Sequence, residues 1–356
     1  MEGPIYLAAA LDGLGSHPAA WRQTETPGQL FDPQRIVSLA QLAEHGMLDL
    51  ITLDDQVPTV PEPGYAHGAL DAWLTLAQAA AHTSHLALFP TGVAHGEPAV
   101  MAGRAVTLDR IAGGRGGWRP RVRLTDDERR RATADPERYA AFTEERFAQA
   151  DAFVGEVTAC WGTWPEEPGG SPDRHGATGD RLRTGGHARV PTAMSGSPLT
   201  AVLAHFSTPY RLAARHADIV FITPFGRRDV VAIREELAKL CTGLRKGRAP
   251  LAVLADLDVV LGGTDSEAAE RRRELDQWIP YESDAAMFTG TPEKLAELLE
   301  EWHRDGGVDG FRIRPAVLSR DLTLVVEKLV PLLQERGLLK ATHGLPLRTR
   351  ILGEAI

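Results

Sequence analysis

The feature that most constrains this chain is an alternation, repeated about eight times, of short apolar runs with longer amphipathic stretches. The runs at 4–10, 48–53, 86–89, 115–122, 199–204, 219–223, 251–261 and 311–313 read as strands. Most are continuously apolar rather than alternating, the pattern of a parallel strand buried on both faces. Between them lie helical patterns. In 33–46, Ile36, Leu39, Ala40 and Ala43 share one face and Gly46 marks the stop. Further helices are expected at 69–83, 97–111, 137–161, 208–216, 227–243, 265–279, 291–304 and 321–336. Strands that alternate with helices in this way form a parallel sheet with helical cover.

The fold class expected is α/β, a single (β/α)8 TIM barrel spanning 1–356, with extra excursions after strands four and seven. Residues 162–197, rich in glycine, proline and charge, read as an inserted loop. A doubly wound nucleotide-binding sheet is the weaker alternative. Gly13-Leu14-Gly15 follows the first strand, but Pro18 stands where the third glycine belongs.

Charge and cysteine content narrow the function. A net charge of −9 gives no electrostatic support for a nucleic-acid role. The two cysteines, Cys160 and Cys241, make neither a disulfide framework nor a metal cluster and fit a reducing cytoplasm. The N-terminus lacks a basic, apolar leader, and no apolar run approaches the ~20 residues of a membrane span. No carboxylate–histidine grouping has ligand spacing, so no metal is expected.

In a barrel, function collects on the loops after the strands. That rule selects His17, Asp54, Asp55, Thr91, His95, Trp118, Arg119 and the segment from His205 to Ser207. Each has a plain alternative. Adjacent aspartates often cap a turn. Arg119, Arg121 and Arg123 alternate and so share one face of a strand, where they could bind phosphate or pair with Asp126, Asp127 and Glu128. His82 and His85, just before the third strand, read as surface.

One stretch is denser in signal than the rest. Glu97-Pro98 opens a helix that Gly113 and Gly114 close, and Arg115-Gly116-Gly117-Trp118 leads into a strand. From Gly103 to Trp118 it resembles the pattern ARxxATLDxLSGGRxGWN of the bacterial luciferase-like flavin monooxygenases, in the branch of the nitrilotriacetate, pristinamycin and dibenzothiophene-sulfone monooxygenases. Ser16 to Arg22 is similar to that family's HxxAWR segment, Leu48 to Asp55 to its FDxxFLAD, and Phe288 to Gly337 to its long C-terminal pattern.

The resemblance implies a monooxygenase that uses reduced FMN and O2, with a separate flavin reductase, a small-molecule substrate and a homodimeric state. It places His17, His95 and Trp118 on the substrate side. It places Asp55, Thr91, Arg119, Tyr139 and Ser207 at the flavin. Tyr139 reads equally well as a core residue. Three positions depart from the family pattern. Arg119 replaces its asparagine, and Phe206 and Pro209 stand where its phosphate-binding serine and glycine belong, with Ser207 one place away. Proline has no N–H to offer a phosphate. Two further readings stay open: an F420-dependent oxidoreductase on the same barrel, and a non-catalytic flavin-binding or partner subunit.

Overall fold

The computed structural model describes residues 3–24, 30–55, 69–123, 128, 135–162 and 196–353. The insertion expected at 162–197 lies, apart from its ends, outside the described residues.

The strands β1 (Tyr6–Ala10), β2 (Leu50–Leu53), β3 (Ala87–Val93), β4 (Gly117–Arg121), β5 (Leu199–Ala204), β6 (Ile219–Ile222) and β7 (Ala252–Leu261) pair in sequence order, every pair parallel. A later strand, β9 (Gly310–Pro315), lies between β7 and β1 and closes the barrel. These eight strands form the expected α/β barrel. One strand was not foreseen. β8 (Met287–Gly290) pairs with the far half of β7, at Asp258–Leu261, and is the excursion after strand seven. β7 is long enough for both partners: it meets β6 over Ala252–Ala255 and β8 beyond.

The helices are α1 (Pro33–His45), α2 (Ala72–Ala80), α3 (Pro98–Ile111), α4 (Pro136–Gly162), α5 (Ser207–His216), α6 (Arg227–Leu244), α7 (Asp265–Trp278) and α8 (Pro292–Arg304). The expected closing helix is instead segmented into α9 (Leu318–Leu324), a π-helical turn at Val325–Leu329 and α10 (Val330–Glu335). A last helix, α11 (Leu347–Leu352), follows.

Local chemistry sets these ends. Asp32 caps α1, its carboxylate accepting from the Gln34 N–H at 2.9 Å, with Pro33 in the first turn. Gly113 and Gly114 take left-handed φ values of 63° and 87° after α3. At the end of α1 it is Met47, not Gly46, that is left-handed, with φ 58°. Gly46 is needed for space, because a Cβ there would meet Val326 at 2.7 Å.

Side chains one residue apart on a strand face opposite sides of the sheet. The outward residues form the main core with the helices, among them Leu7, Ile51, Leu88, Val220 and Ile313. Among the inward residues, Ala8, Leu50, Phe89, Ala201, Phe221 and Leu254 fill the lower barrel, plugged from below by Leu347 and Ile351 of α11. The barrel is therefore a packed core below and open to function only at its upper, C-terminal end.

Candidate active site

Continuing upward along the inward positions, the chemistry changes. On β7, Ala252 and Leu254 give way to Asp256 and Asp258; on β9, Gly310 gives way to Arg312 and Arg314; on β4, Gly117 gives way to Arg119 and Arg121. Strand register pairs Asp256 with Arg312, Asp258 with Arg314, and Thr91 with Arg119. A cavity of about 360 Å³ opens above this floor. Asp12, Asp54, Arg119, Arg121, Arg312 and Arg314 line one part, with His205 and Asp284 at the rim and Val122, Phe147, Leu203 and Leu212 on an apolar wall.

The floor is a set of ion pairs. Arg312 grips Asp256 with two nitrogens, Nε to Oδ1 at 2.8 Å and Nη2 to Oδ2. Its guanidinium also lies 4.4 Å from the Phe221 ring centroid, and Nη1 donates to Thr52 at 3.3 Å. Arg314 bridges Asp258 (3.3 Å) and Asp284 (2.5 Å). Arg119 pairs with Asp54 and donates from Nη2 to Thr91 Oγ1 at 3.0 Å, while the Thr91 hydroxyl donates to Asp54 at 2.7 Å. The Asp54 N–H donates to Asp12 at 2.6 Å.

Burial, then repulsion from Arg312, pulls the Arg119 pKa below its ordinary value. Burial raises Asp12 and Asp258 against the pull of neighbouring arginines. Arg314 is raised despite its own burial, because Asp258, Asp256 and Asp284 surround it. Buried pairs of this kind gain little stability over apolar packing. Strongly perturbed groups gathered in a cleft instead mark a candidate functional site.

The sequence-selected residues divide. Arg119 and Thr91 meet in the floor, and Arg121 shares their face as the alternation required, reaching the Asp55 carbonyl at 3.3 Å. Of the adjacent aspartates, Asp54 faces the cavity; Asp55 is half-buried, its pKa raised by burial and by Asp71 ahead of α2. Asp126 and Asp127 lie outside the described residues, and Glu128 pairs with Arg146 at 2.8 Å.

Trp118 requires a correction. As the outward neighbour of Arg119 it is fully buried with Met101, Val106, Phe153 and Trp161 beneath α3 and α4, and its Nε1 donates to Thr200 at 2.9 Å. It cannot reach a substrate above the barrel. His17 is also buried, and is not among the residues lining the cavity. The Ala19 N–H donates to its Nδ1 (3.1 Å), so Nε2 carries the proton and donates to Asp276 (3.2 Å), with the Tyr281 ring edge-on. Burial lowers its pKa and keeps it neutral. His95 is exposed on the loop after β3.

Tyr139 is half-exposed near the start of α4 and does not pack as core. Ser207 is the exposed first residue of α5, behind Phe206, whose ring meets Phe147 edge-on at 5.9 Å. Next to it, Thr208 donates to the Glu144 carboxylate, which also pairs with Arg211 at 3.0 Å. His205, at the rim, holds Nδ1 3.1 Å from the Thr223 hydroxyl and 3.8 Å from Asp284.

Sequence reasoning passed over Asp12, Asp256, Asp258, Asp284, Arg312 and Arg314. Part of the signal was there: charges at every second position inside the otherwise apolar runs LADLDVV and GFRIRP.

Comparison with known proteins supplies the context for this mouth. Residues 14–307 match the family model described as luciferase-like monooxygenase. The chain is 25% identical to N-acetyl-S-(2-succino)cysteine monooxygenase of Bacillus subtilis (strain 168), over 95% of this chain and 94% of that protein. It is 23% identical to dibenzothiophene-sulfone monooxygenase of Rhodococcus erythropolis, over 91% and 90%. Its fold superposes on EDTA monooxygenase from Chelativorans sp. BNC1 with a TM-score of 0.81 at 20% identity, covering 98% of both chains. The chain belongs to the luciferase-like monooxygenase family and is an oxidoreductase.

Proposed function

We propose that this protein is a flavin-dependent monooxygenase that receives reduced FMN from a separate reductase and oxygenates a small organic molecule with O2. Membership of the family, together with a cavity at the C-terminal mouth of the barrel, supports this reading. The single observation that carries it is Arg119. Its guanidinium lines the cavity, and its buried Nε has no hydrogen-bond partner among the described residues. A buried donor left unmet costs free energy that a ligand acceptor recovers.

The residues fit a flavin head. The apolar wall of Val122, Phe147, Leu203 and Leu212 offers a face for a ring, and Arg119 and Arg121 offer donors for its polar edge. When bound, reduced flavin supplies the electrons that activate O2. The protein's part is to bind, orient and exclude water. Thr91 and Asp54 hold Arg119 in place, with Asp55 behind Arg121. Tyr139 and Ser207 are assigned to the phosphate end. His95 is assigned to the substrate side, and His17 orders the loop after β1 from behind.

Two-fold self-association belongs to the same reading. A groove of about 450 Å³ between α2 and α3, carrying exposed Leu74 and Ile111, is the surface assigned to it. Sedimentation would show a dimer that Leu74→Glu weakens. Cytoplasmic residence follows from the need for a reductase and its reduced flavin.

The test is an anaerobic titration of the whole protein with reduced FMN, with F420 and its reduced form in parallel. One-to-one binding of reduced FMN, weakened at least tenfold by Arg119→Met, is expected. Selective binding of F420 would move the assignment to a deazaflavin oxidoreductase. No saturable binding of either would leave a barrel without a flavin role.

A further inference from the structure

The opposite end of the barrel carries a second polar cavity. Beyond α10 the chain crosses the N-terminal ends of the strands. The Ile5 N–H donates to the Leu338 carbonyl at 2.7 Å, and the Tyr6 hydroxyl donates to the Arg350 carbonyl at 3.1 Å. Lys340 and Arg350 both clasp the buried carboxylate of Asp49. This crossing encloses about 210 Å³, remote from the flavin mouth, with His85, Gly114 and Arg115 on one side and Lys340, His343 and Arg350 on the other.

Among the described residues the cations at this end outnumber the carboxylates. Arg115, Lys340 and Arg350 line the cavity. Among the described residues, the carboxylates that act on His343 are Asp49 and Glu44. Arg115 spends its hydrogen bonds on the Ala80, Thr83 and Leu86 carbonyls and the Thr83 hydroxyl, which are neutral. Glu44 Oε1 is taken by the Ser84, His85 and Leu86 N–H groups. A cationic enclosure in a chain with a net charge of −9 is not a by-product of composition.

A histidine pair faces this enclosure. The His85 and His343 rings stack with centroids 4.2 Å apart and planes 8° from parallel. His343 Nδ1 is buried without a hydrogen-bond partner among the described residues. Burial, then His85 and Lys340, lowers the His343 pKa, against a weaker pull from Glu44 and Asp49. A neutral histidine beside surplus positive charge takes up a proton when an anion arrives, because the anion reverses the local potential.

We propose that this cavity is a second binding site, for a phosphoryl group, which enters with proton uptake by His343 where it stacks on His85. The phosphoryl oxygens accept from His343 Nδ1–H and from donors of Lys340 and Arg350. The group could be free phosphate or a phosphate monoester.

Titration calorimetry of the full chain with inorganic phosphate at pH 8.5, where phosphate is the dianion and brings no exchangeable proton of its own to the site, in two buffers of different ionisation enthalpy, tests this. Saturable binding with net proton uptake is expected. His343→Gln should weaken binding at least tenfold and remove the proton uptake, while leaving the reduced-FMN titration unchanged. Arg119→Met, at the other end of the barrel, should leave phosphate affinity within twofold. Phenyl phosphate distinguishes the sources: tighter binding than phosphate assigns a monoester, weaker binding the free anion. Should His343→Gln fail to fold, side-chain ¹⁵N shifts of the wild-type histidines decide, since the ring nitrogens of His343 must move toward the protonated form on adding phosphate. The proposal is overturned by no saturable phosphate binding, by binding without proton uptake, or by loss of binding in Arg119→Met rather than His343→Gln.

Discussion

Asp256 and Arg312 make the sharpest test of the floor described above. They are cross-strand partners on β7 and β9, both almost wholly buried, and joined by two hydrogen bonds. Removing one member strands the other's charge in the barrel, which costs about 3–5 kcal/mol. The two single variants should not be equal. In Arg312→Met, Asp256 keeps Arg314 at 3.8 Å, so the loss falls at the lower end. In Asp256→Asn, Arg312 is left beside Arg119, a repulsion already felt in the wild type, so the loss is larger. Unfolding entropy of ~2.1 cal/mol/K per residue over 356 residues makes 1 kcal/mol worth roughly 1.3 °C. The expected drop in Tm is therefore about 4–7 °C. The double variant Asp256→Leu/Arg312→Met removes both charges together and should return to within ~2 kcal/mol of wild type. Urea titrations followed by circular dichroism, with thermal melts beside them, measure all three. Single variants that each cost less than ~1 kcal/mol, or a double variant that costs their sum, would show that water reaches the pair and that the floor is not dry.

Two other consequences are open to measurement. His17 is held neutral, its folded pKa below the unfolded one, so between the two the unfolded chain binds more protons. Its contribution is complete above the unfolded pKa of about 6.5 and is lost as the pH falls below it. Urea midpoints should drop on going from pH 7 to 5. His17→Gln should make that slope shallower without flattening it, because His205, His216 and His343 are lowered too; an unchanged slope would contradict the buried, neutral assignment. Trp118→Phe should cost about 1–2 kcal/mol, from the lost bond to Thr200 and some packing, and leave reduced-flavin affinity unaltered. A large change in flavin affinity with normal stability would return Trp118 to the site.

The barrel was readable because burial on both faces leaves a mark that local sequence carries. Leu199–Ala204 and Ile219–Ile222 are apolar almost throughout, as a parallel strand covered on both sides requires, and their shortness favours strand over buried helix. β8 left no such mark: four residues, mostly half-buried, whose pairing depends on the overlong β7. The length of the 251–261 run was the available hint. α11 was missed for a related reason, since its role as a plug is set by the barrel interior it meets and not by its own short pattern. At the site, alternation correctly gave Arg119 and Arg121 a common face, but Trp118 was assigned by motif position without the same parity test, which turns it outward. Asp54 rather than Asp55 entered the cavity because it continues the inward series Leu50, Thr52 of β2.

The inward positions change from apolar to charged on three strands, between Leu254 and Asp256, Gly310 and Arg312, and Gly117 and Arg119. Leu254 lies opposite Gly310, and Asp256 opposite Arg312, so on β7 and β9 the change falls at the same step of the ladder. Below that level the interior is packed with Phe89, Phe221 and Leu254; above it, fully buried aspartates are matched to arginines. Any ligand of the upper cavity rests on this floor. A purely apolar ligand would strip water from the rim charges Asp54, Arg121 and Asp284 and return no hydrogen bond, a loss that burying its own surface must first overcome. A ligand with acceptors along one edge meets Arg119 Nε, a donor unmatched among the described residues, and leaves its apolar face to Val122, Phe147 and Leu212. That division of polar edge from apolar face suits the flavin head proposed above, and on that proposal a substrate beside it would carry polar groups of its own wherever it touches the rim.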